Sequence, residues 1–268
     1  MNSKMPQNKG GRDAYISMDK LAVGYNGKAI IKDICIDIQK GEIVTLIGPN
    51  GAGKTTVFNL LTKVYEPTSG AVLINGQDLK GLSIVQASRL GIARTFQNIR
   101  LFDKMTVEEN VRIGLHNQIK YDMFSGILRL PRYWKQEKRQ HERAMVLLDI
   151  FGMQDLADEV SGSLPYGAQR RLEIVRALAT DPRLLLLDEP AAGMNPHETE
   201  ELMENIAKIR DQFQIAILLI EHDMSLVMGV CEGICVLNFG KVIAKGTADE
   251  IQANPAVIEA YLGKKKEG

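Results

Sequence analysis

One loop, residues 48–55, constrains the fold of this chain more than any other stretch. It reads Gly48-Pro49-Asn50-Gly51-Ala52-Gly53-Lys54-Thr55 and follows a short apolar run, Ile43 to Ile47. A helix-like stretch, Val57 to Lys63, comes next. In this strand–loop–helix context glycines let backbone N–H groups turn towards phosphate oxygens, and the positive end of the helix adds to the attraction. The alternative is an ordinary glycine-rich turn, which the context disfavours. The loop therefore predicts a nucleotide-binding protein.

Two side chains of the loop are predicted to hold the phosphates and a metal ion. Lys54 is expected to reach the β- and γ-phosphates, and Thr55 to offer its hydroxyl to Mg²⁺.

Two carboxylates follow a second apolar run. Leu184 to Leu187 are four consecutive leucines without a helical period, which predicts a strand buried on both faces, as in a parallel sheet. Asp188 and Glu189 come at its carboxyl end, where open α/β sheets bind ligands and where unpaired charge is costly to bury. Asp188 is predicted to bind Mg²⁺, directly or through water, and Glu189 to polarise an attacking water. A purely structural ion pair is the alternative.

Three further residues are weaker candidates when taken singly. Tyr25 lies in a turn before the loop and is either a base-stacking aromatic or ordinary packing. His222 follows the apolar run Ile215 to Ile220; a lone His is more often structural than catalytic, and its place after a predicted strand makes a γ-phosphate contact the functional alternative. Gln97 ends a short strand-like stretch and by itself indicates nothing.

The composition excludes several classes of protein. The 268 residues carry 33 Lys and Arg against 33 Asp and Glu, so no overall field favours nucleic acid or an anionic membrane. No apolar run approaches the roughly 18 residues of a membrane span, although docking to a membrane partner stays possible. Residues 1–13 are polar and lack the apolar stretch of a signal peptide, which predicts a cytoplasmic protein.

Two other features have a functional and a structural interpretation. Cys231 and Cys235 are four residues apart, but without an accompanying His or second Cys pair they are predicted to be buried small side chains rather than metal ligands. The basic stretch Pro131 to His141 carries the single Trp134. It is either a solvated helix face with one aromatic anchor or a contact to membrane or nucleic acid; we favour the first.

Together these motifs resemble the ATP-binding subunit of an ABC transporter, and the resemblance covers nearly the whole chain. The family's motifs occur in the family's order. They are the adenine-stacking aromatic at Tyr25, the Walker A loop at Gly48 to Thr55, the Q-loop glutamine at Gln97, the signature at Leu164-Pro165-Tyr166-Gly167-Ala168, the Walker B Asp188 with Glu189, and the H-loop His222.

The resemblance implies a fold and a division of roles. The fold is α/β, a RecA-like P-loop NTPase core at about 13–88 and 178–248 with an inserted all-helical signature subdomain at 89–177. Residues 1–12 are expected to be a disordered tail, and 249–268 are expected to form C-terminal helices and a tail. The cofactors are ATP and Mg²⁺. The resemblance implies that Glu189, His222 and Gln97 are catalytic and that Thr55, Gln97 and Asp188 form the metal site. It implies nucleotide contacts at Tyr25, Gly48 to Thr55, and Thr56. The signature, Leu164 to Ala168, is expected to contact the ATP of a second subunit.

Longer stretches resemble one subfamily. Residues Arg94 to Phe102, Glu189 to Pro196 and Val257 to Gly263, with the long insert at 116–141, are similar to the first of the two ATPases in branched-chain amino acid importers. Lipopolysaccharide-export ATPases are the nearest alternative. A soluble ABC ATPase acting on DNA or ribosomes usually has tandem cassettes or a coiled-coil insert, and neither is present.

The signature departs from the family's Leu-Ser-Gly-Gly-Gln, because Pro165 and Ala168 replace the Ser and Gln. Similar Leu-Pro-Tyr-Gly forms occur in the branched-chain group. The expected partners are a sister ATPase in a heterodimer (a homodimer being the alternative), permease subunits, and indirectly a substrate-binding protein, with no nucleic acid. The resemblance places the protein on the inner face of the cell membrane.

Overall fold

The computed structural model describes residues 14–25, 28–115, 131–222, 227 and 229–262, and of residues 25, 28, 131, 132 and 262 only the backbone. Four predicted stretches lie outside this range. They are the tail at 1–12, the Asn26-Gly27 turn, residues 116–130 of the insert at 116–141, and residues 263–268.

Ten strands and eight helices can be labelled within the described residues. The strands are β1 (Ile16–Tyr25), β2 (Lys28–Ile38), β3 (Ile43–Ile47), β4 (Ser69–Ile74), β5 (Gln77–Asp78), β6 (Ile92–Arg94), β7 (Leu184–Asp188), β8 (Ala216–Ile220), β9 (Gly233–Asn238) and β10 (Lys241–Gly246). The helices are α1 (Lys54–Leu61), α2 (Ile84–Arg89), α3 (Val107–Leu115), α4 (Pro131–Ile150), α5 (Tyr166–Ala179), α6 (Pro196–Phe213), α7 (Ala248–Gln252) and α8 (Pro255–Leu262).

A six-stranded sheet in the order β10-β9-β3-β8-β7-β6 forms the centre of the molecule. Its strands run parallel except β10, which returns antiparallel to β9. All five residues of β3, β7 and β8 are buried, as their continuous apolar runs predict for a sheet covered on both faces.

The parallel register brings the carboxyl ends of four neighbouring strands together. Leu46 of β3 and Asp188 of β7 both pair with Ile220 of β8, and Arg94 of β6 pairs with Leu186 of β7. We call the edge where β3, β8, β7 and β6 end the carboxyl edge. The phosphate loop and the segments that follow β6, β7 and β8 all start there.

A second, antiparallel sheet in the order β2-β1-β4-β5 covers one face of the central sheet. One apolar core lies between the sheets and takes in Val57, Phe58 and Leu61 of α1. A second core joins the opposite face of the central sheet to the helices, with Val111 of α3 and Leu172 of α5 among its fully buried members. The structure is thus a RecA-like α/β core beside a helical region that contains α3, α4 and α5.

Strand β6 falls inside the range 89–177 that the resemblance assigns to the helical subdomain. It pairs with β7, so the central sheet includes residues 92–94 and the helices begin later, at Val107. The short helix α2 and strand β5 were not predicted. Among the described residues, none of the helices is both long and apolar enough to cross a membrane.

Candidate nucleotide site

The phosphate loop is shaped by glycines at positions where a side chain does not fit. A Cβ on Gly48 would lie 2.1 Å from the carbonyl oxygen of Leu237, and Gly53 has a φ of 108°, which side chains disfavour. Helix α1 begins directly after Gly53, and no side chain caps its N-terminus. Its first N–H groups are therefore available to an anion, as a phosphate site requires.

Lys54 is drawn back into this loop. Its Nζ donates to the carbonyl oxygens of Gly48 and Pro49 at 2.6 and 3.3 Å, and the residue is buried. Burial lowers the pKa of Lys54, while the nearby carboxylates of Glu189 and Asp188 act in the opposite direction. The ammonium thus contacts the loop and lies within the electrostatic influence of the two predicted acidic groups.

Asp188 is buried at the end of β7 and paired with an arginine that the sequence interpretation missed. Arg94 Nη2 donates to Asp188 Oδ2 at 2.9 Å, and Nη1 donates to Asn59 Oδ1 at 2.7 Å. The Arg94 guanidinium lies 5.3 and 5.2 Å from the ring centroids of Phe58 and Phe96. The parallel pairing of β6 with β7 creates this contact, so only a correct strand order could have revealed it in advance.

The three predicted catalytic residues come together at the carboxyl edge. Gln97 Nε2 donates to Glu189 Oε2 at 3.4 Å, and His222 Nδ1 lies 3.9 Å from Glu189 Oε1. Glu189 has a φ of 47°, and its N–H donates to the carbonyl oxygen of Ile220 at 3.0 Å. The arrangement places one carboxylate between an amide and an imidazole.

Glu221 accepts hydrogen bonds from the backbone beside this cluster. Its side chain is buried and accepts hydrogen bonds from the backbone N–H groups of Ala191 and His222 at 3.4 and 3.3 Å. Burial raises the pKa of Glu221, and those two hydrogen bonds oppose the rise. Sequence reasoning missed Glu221, although it directly precedes His222.

The signature residues form the start of α5. Leu164, Gly167 and Ala168 are buried, Pro165 and Tyr166 are exposed, and no side chain caps the N-terminus of the helix. Their contact with the ATP of a second subunit stays a prediction. The same holds for base stacking by Tyr25, whose backbone ends β1 and whose ring lies outside the described residues.

The available donors suit Mg²⁺. Thr55 offers an exposed hydroxyl and Asp188 a carboxylate, and the described part of the chain contains no cluster of three or more His, Cys, Asp or Glu that could cage an ion. Mg²⁺ favours one or two protein oxygens supplemented by phosphate and water, so these residues fit it. Cys231 and Cys235 form no such cluster. Cys235 is buried as predicted, whereas Cys231 is only partly buried, with its Sγ 2.5 Å from Thr45 Oγ1.

A glycine loop at a helix N-terminus, beside acidic groups at the carboxyl edge of a RecA-like sheet, defines a P-loop nucleotide-binding ATPase domain. Residues 31–192 match the family model described as ABC transporter, and residues 241–267 match one described as branched-chain amino acid ATP-binding cassette transporter. The chain belongs to the ABC transporter family, as an ATP-binding cassette.

Individual relatives agree with this assignment. The chain is 47% identical to LivG of Escherichia coli K12, a high-affinity branched-chain amino acid transport ATP-binding protein, over 92% of this chain and 97% of that one. It is 32% identical to LptB of the same organism, a lipopolysaccharide export system ATP-binding protein, over 93% and 98%. The structure of MJ1267, an ATP-binding cassette of an ABC transporter in its ADP conformation, superposes with a TM-score of 0.81 at 27% identity, covering 94% of this chain and 99% of that one.

Proposed function

We propose that this protein is the ATP-hydrolysing subunit of an importer for branched-chain amino acids. The observation that carries the proposal is the convergence of Gln97, Glu189 and His222 beside the phosphate loop. The higher identity to LivG than to LptB and the matched C-terminal segment favour the amino-acid importer over lipopolysaccharide export.

Each residue of the site has a distinct task in this proposal. Lys54 leaves the loop carbonyls and pairs with the β- and γ-phosphates, while the N–H groups at the start of α1 bind the remaining phosphate oxygens. Glu189 orients or deprotonates the attacking water, and Gln97 and His222 hold that water and the γ-phosphate in line. Thr55 and Asp188, with Gln97 beside them, would hold Mg²⁺, which would supply positive charge to the phosphates.

A groove between the central sheet and the helices is the proposed docking site for a permease. The groove has a volume of about 500 Å³ and is lined by apolar side chains, three arginines and one glutamate. They include Ala87, Ile92, Phe96, Phe102, Ile113, Arg94, Arg100, Arg176 and Glu173. Phe102 and Ile84 at its rim are 48% and 55% exposed. An apolar cytoplasmic segment of a permease subunit with an acidic residue would bury these side chains and pair with Arg100. This docking would place the protein on the inner face of the cell membrane.

The test is reconstitution with the permease subunits, the sister ATPase and the binding protein in proteoliposomes. We expect ATP-dependent uptake of labelled leucine, isoleucine or valine, and its loss when Glu189 is replaced by Gln. A complex that hydrolyses ATP but takes up none of these would contradict the substrate assignment. A complex assembled with lipopolysaccharide-export partners that extracts lipopolysaccharide would favour the alternative.

A further inference from the structure

A buried ion pair in the second turn of α5 lies directly behind the candidate site. Arg170 Nη1 is 3.0 Å from Glu173 Oε2, and the two side chains are 1% and 2% exposed. A charged pair is costly to bury unless further hydrogen bonds satisfy it. The groups that supply those bonds therefore indicate what the pair holds in place.

Arg170 reaches out of its helix to the backbone of the site. Its Nη1 donates to the carbonyl oxygen of Phe96, and its Nη2 donates to those of Gln97 and Glu189 at 2.6 and 3.3 Å. The planar guanidinium presents donors in a fixed fork, so one side chain joins two segments that are far apart in sequence.

Glu173 holds the same segment by its N–H groups. Its Oε1 lies 3.5 Å from the N–H nitrogen of Phe96 and 3.4 Å from that of Arg100. The residues before and after Gln97 are therefore bound to α5 from both sides, although Gln97 itself is exposed.

Glu189 needs such support because its backbone is unusual. A non-glycine residue with a φ of 47° persists only where its surroundings fix it. Two hydrogen bonds restrain this backbone. Arg170 donates to the carbonyl oxygen of Glu189, and the N–H of Glu189 donates to the carbonyl oxygen of Ile220. The side-chain contact between Gln97 Nε2 and Glu189 Oε2, at 3.4 Å, lies between the restrained segments.

We propose that Arg170 and Glu173 are a positioning pair that fixes Gln97 relative to Glu189 and ties both to the signature helix. Both residues act through the backbone of residues 96–100 and of Glu189, and neither is assigned a contact with the nucleotide. The inference rests on the proposed ATP hydrolysis. The pair aligns the groups that activate the water, whereas the phosphate loop determines the affinity for ATP.

Two variants and one matched control test this role. Arg170→Lys keeps the positive charge but removes the planar guanidinium with its several N–H donors. Glu173→Gln keeps the shape of the side chain but removes its negative charge. Arg171→Lys is the control, because Arg171 is the next residue of the same helix and pairs with Glu201 away from the site. Each variant is assembled with the permease and sister ATPase, and kcat, the dissociation constant of ATP, and amide hydrogen exchange of the isolated chain are measured.

We expect kcat to fall roughly 10- to 100-fold in Arg170→Lys and Glu173→Gln while ATP affinity stays unchanged, since small displacements of catalytic groups have effects of this size. Amide exchange should become faster at Phe96 and Arg100 but not in β3. In a Gln97→Ala background Arg170→Lys should lower kcat by a much smaller factor, because the two changes disrupt one arrangement. Arg171→Lys should leave all three measurements unchanged.

Three results would overturn the proposal. The effects of Arg170→Lys and Gln97→Ala on kcat could multiply fully, or ATP affinity could fall in parallel with kcat. Amide hydrogen exchange at Phe96 and Arg100 could also stay unchanged. If Arg170→Lys fails to fold, Glu173→Gln decides by the same measurements. A wild-type complex that hydrolyses no ATP would contradict the proposed function instead, and hydrogen exchange would still decide whether the pair holds the segment.

Discussion

Glu189 is the residue on which the proposed chemistry depends most directly. Replacing it with Gln keeps the size and the contact with Gln97 but removes the base. Loss of a positioned base typically costs about 10²–10⁴-fold in rate, so we expect turnover to fall by that factor while ATP stays bound. The measurements are phosphate release and equilibrium binding of ATP. Glu204→Gln, on the exposed face of α6, is the control. Native turnover in Glu189→Gln would refute the assigned role.

Lys54 acts at the earlier step of binding. Charge-assisted hydrogen bonds to phosphate are worth about 1.5–3 kcal/mol, which corresponds to roughly tenfold or more in affinity. We therefore expect Lys54→Ala to weaken ATP binding by at least that factor in calorimetry, with the surface variant Lys208→Ala unchanged. Because burial lowers the pKa of Lys54 below 10.5, ATP affinity of the native chain should decline with rising pH before that value is reached. Equal affinity in Lys54→Ala and the native chain would remove the phosphate-loop assignment.

The cysteines offer a test of burial. Burial raises the pKa of both Cys231 and Cys235 to about 11, because the thiolate would lose its hydration. At pH 8 about one thiol in a thousand would be ionised at each position, and the thiolate is the reactive form. We expect both residues to resist maleimide labelling in the native chain and to react once it is unfolded, as followed by mass spectrometry. Rapid native labelling would show that these side chains are accessible.

At Gly114, the packing of α3 against α5 requires a residue that helix propensity disfavours. It lies in α3, where Ala is intrinsically better than Gly by about 1 kcal/mol. A Cβ there would lie 2.5 Å from the carbonyl oxygen of Arg176 and 2.8 Å from Ala179 Cβ, both in α5. Overpacking typically costs about 1–3 kcal/mol.

We therefore expect Gly114→Ala to lower the free energy of unfolding by up to about 2 kcal/mol in urea titrations. The neighbouring Ile113 is exposed, so Ile113→Ala should change that free energy by less than about 0.5 kcal/mol. A stabilised Gly114→Ala variant would mean that α3 and α5 are further apart than the structure indicates.

The elements that the sequence predicts are those with local causes. The leucine run of β7 and the start of α6, where Asn195 and Glu198 form a capping box, depend on neighbours in the chain. Helix α2 carries the same signal at Ser83 and Gln86, yet its six residues are too few for an apolar period to show. The antiparallel sheet was missed because the pairing of β1 with β4 joins segments about fifty residues apart.

The same distinction separates the predicted site residues from the missed ones. Motifs identify Lys54, Asp188 and Glu189 because local spacing carries their chemistry. Arg94 and Arg170 acquire their roles only from the neighbours that the fold gives them, Asp188 in one case and the backbone at 96–97 and 189 in the other. Nothing in the local sequence distinguishes them from surface arginines.

At the scale of the whole molecule, the site is shared between two parts of the chain. The phosphate loop follows β3, Asp188 ends β7 and His222 comes after β8. The signature, by contrast, begins a helix whose second turn binds the backbone of Gln97. We propose that two such subunits pair head to tail, so that the signature of one subunit would close over the phosphate loop of the other. Whether the pair is a homodimer or a heterodimer therefore decides which signature lies opposite each phosphate loop.

We expect the working pair to be a heterodimer. Pro165 and Ala168 lack the hydroxyl and amide that the general signature offers to ATP. A homodimer would set two such signatures over two complete phosphate loops, whereas a sister ATPase with Leu-Ser-Gly-Gly-Gln would place one complete signature over Lys54, Asp188 and Glu189. Each neutral hydrogen bond lost costs about 0.5–1.5 kcal/mol, so the homodimer should be slow and weakly associated but still active.

The measurement compares this chain alone with this chain plus the ATPase encoded beside it. ATPase rate per site and ATP-dependent dimerisation, the latter by analytical ultracentrifugation with Glu189→Gln to trap the closed pair, should both rise in the mixture. Pro165→Ser restores the hydroxyl at an exposed position before α5 and should strengthen dimerisation of this chain alone, because one neutral hydrogen bond to the partner's ATP would be regained. Equal rates and equal dimerisation in the two preparations would exclude the heterodimer as the required unit.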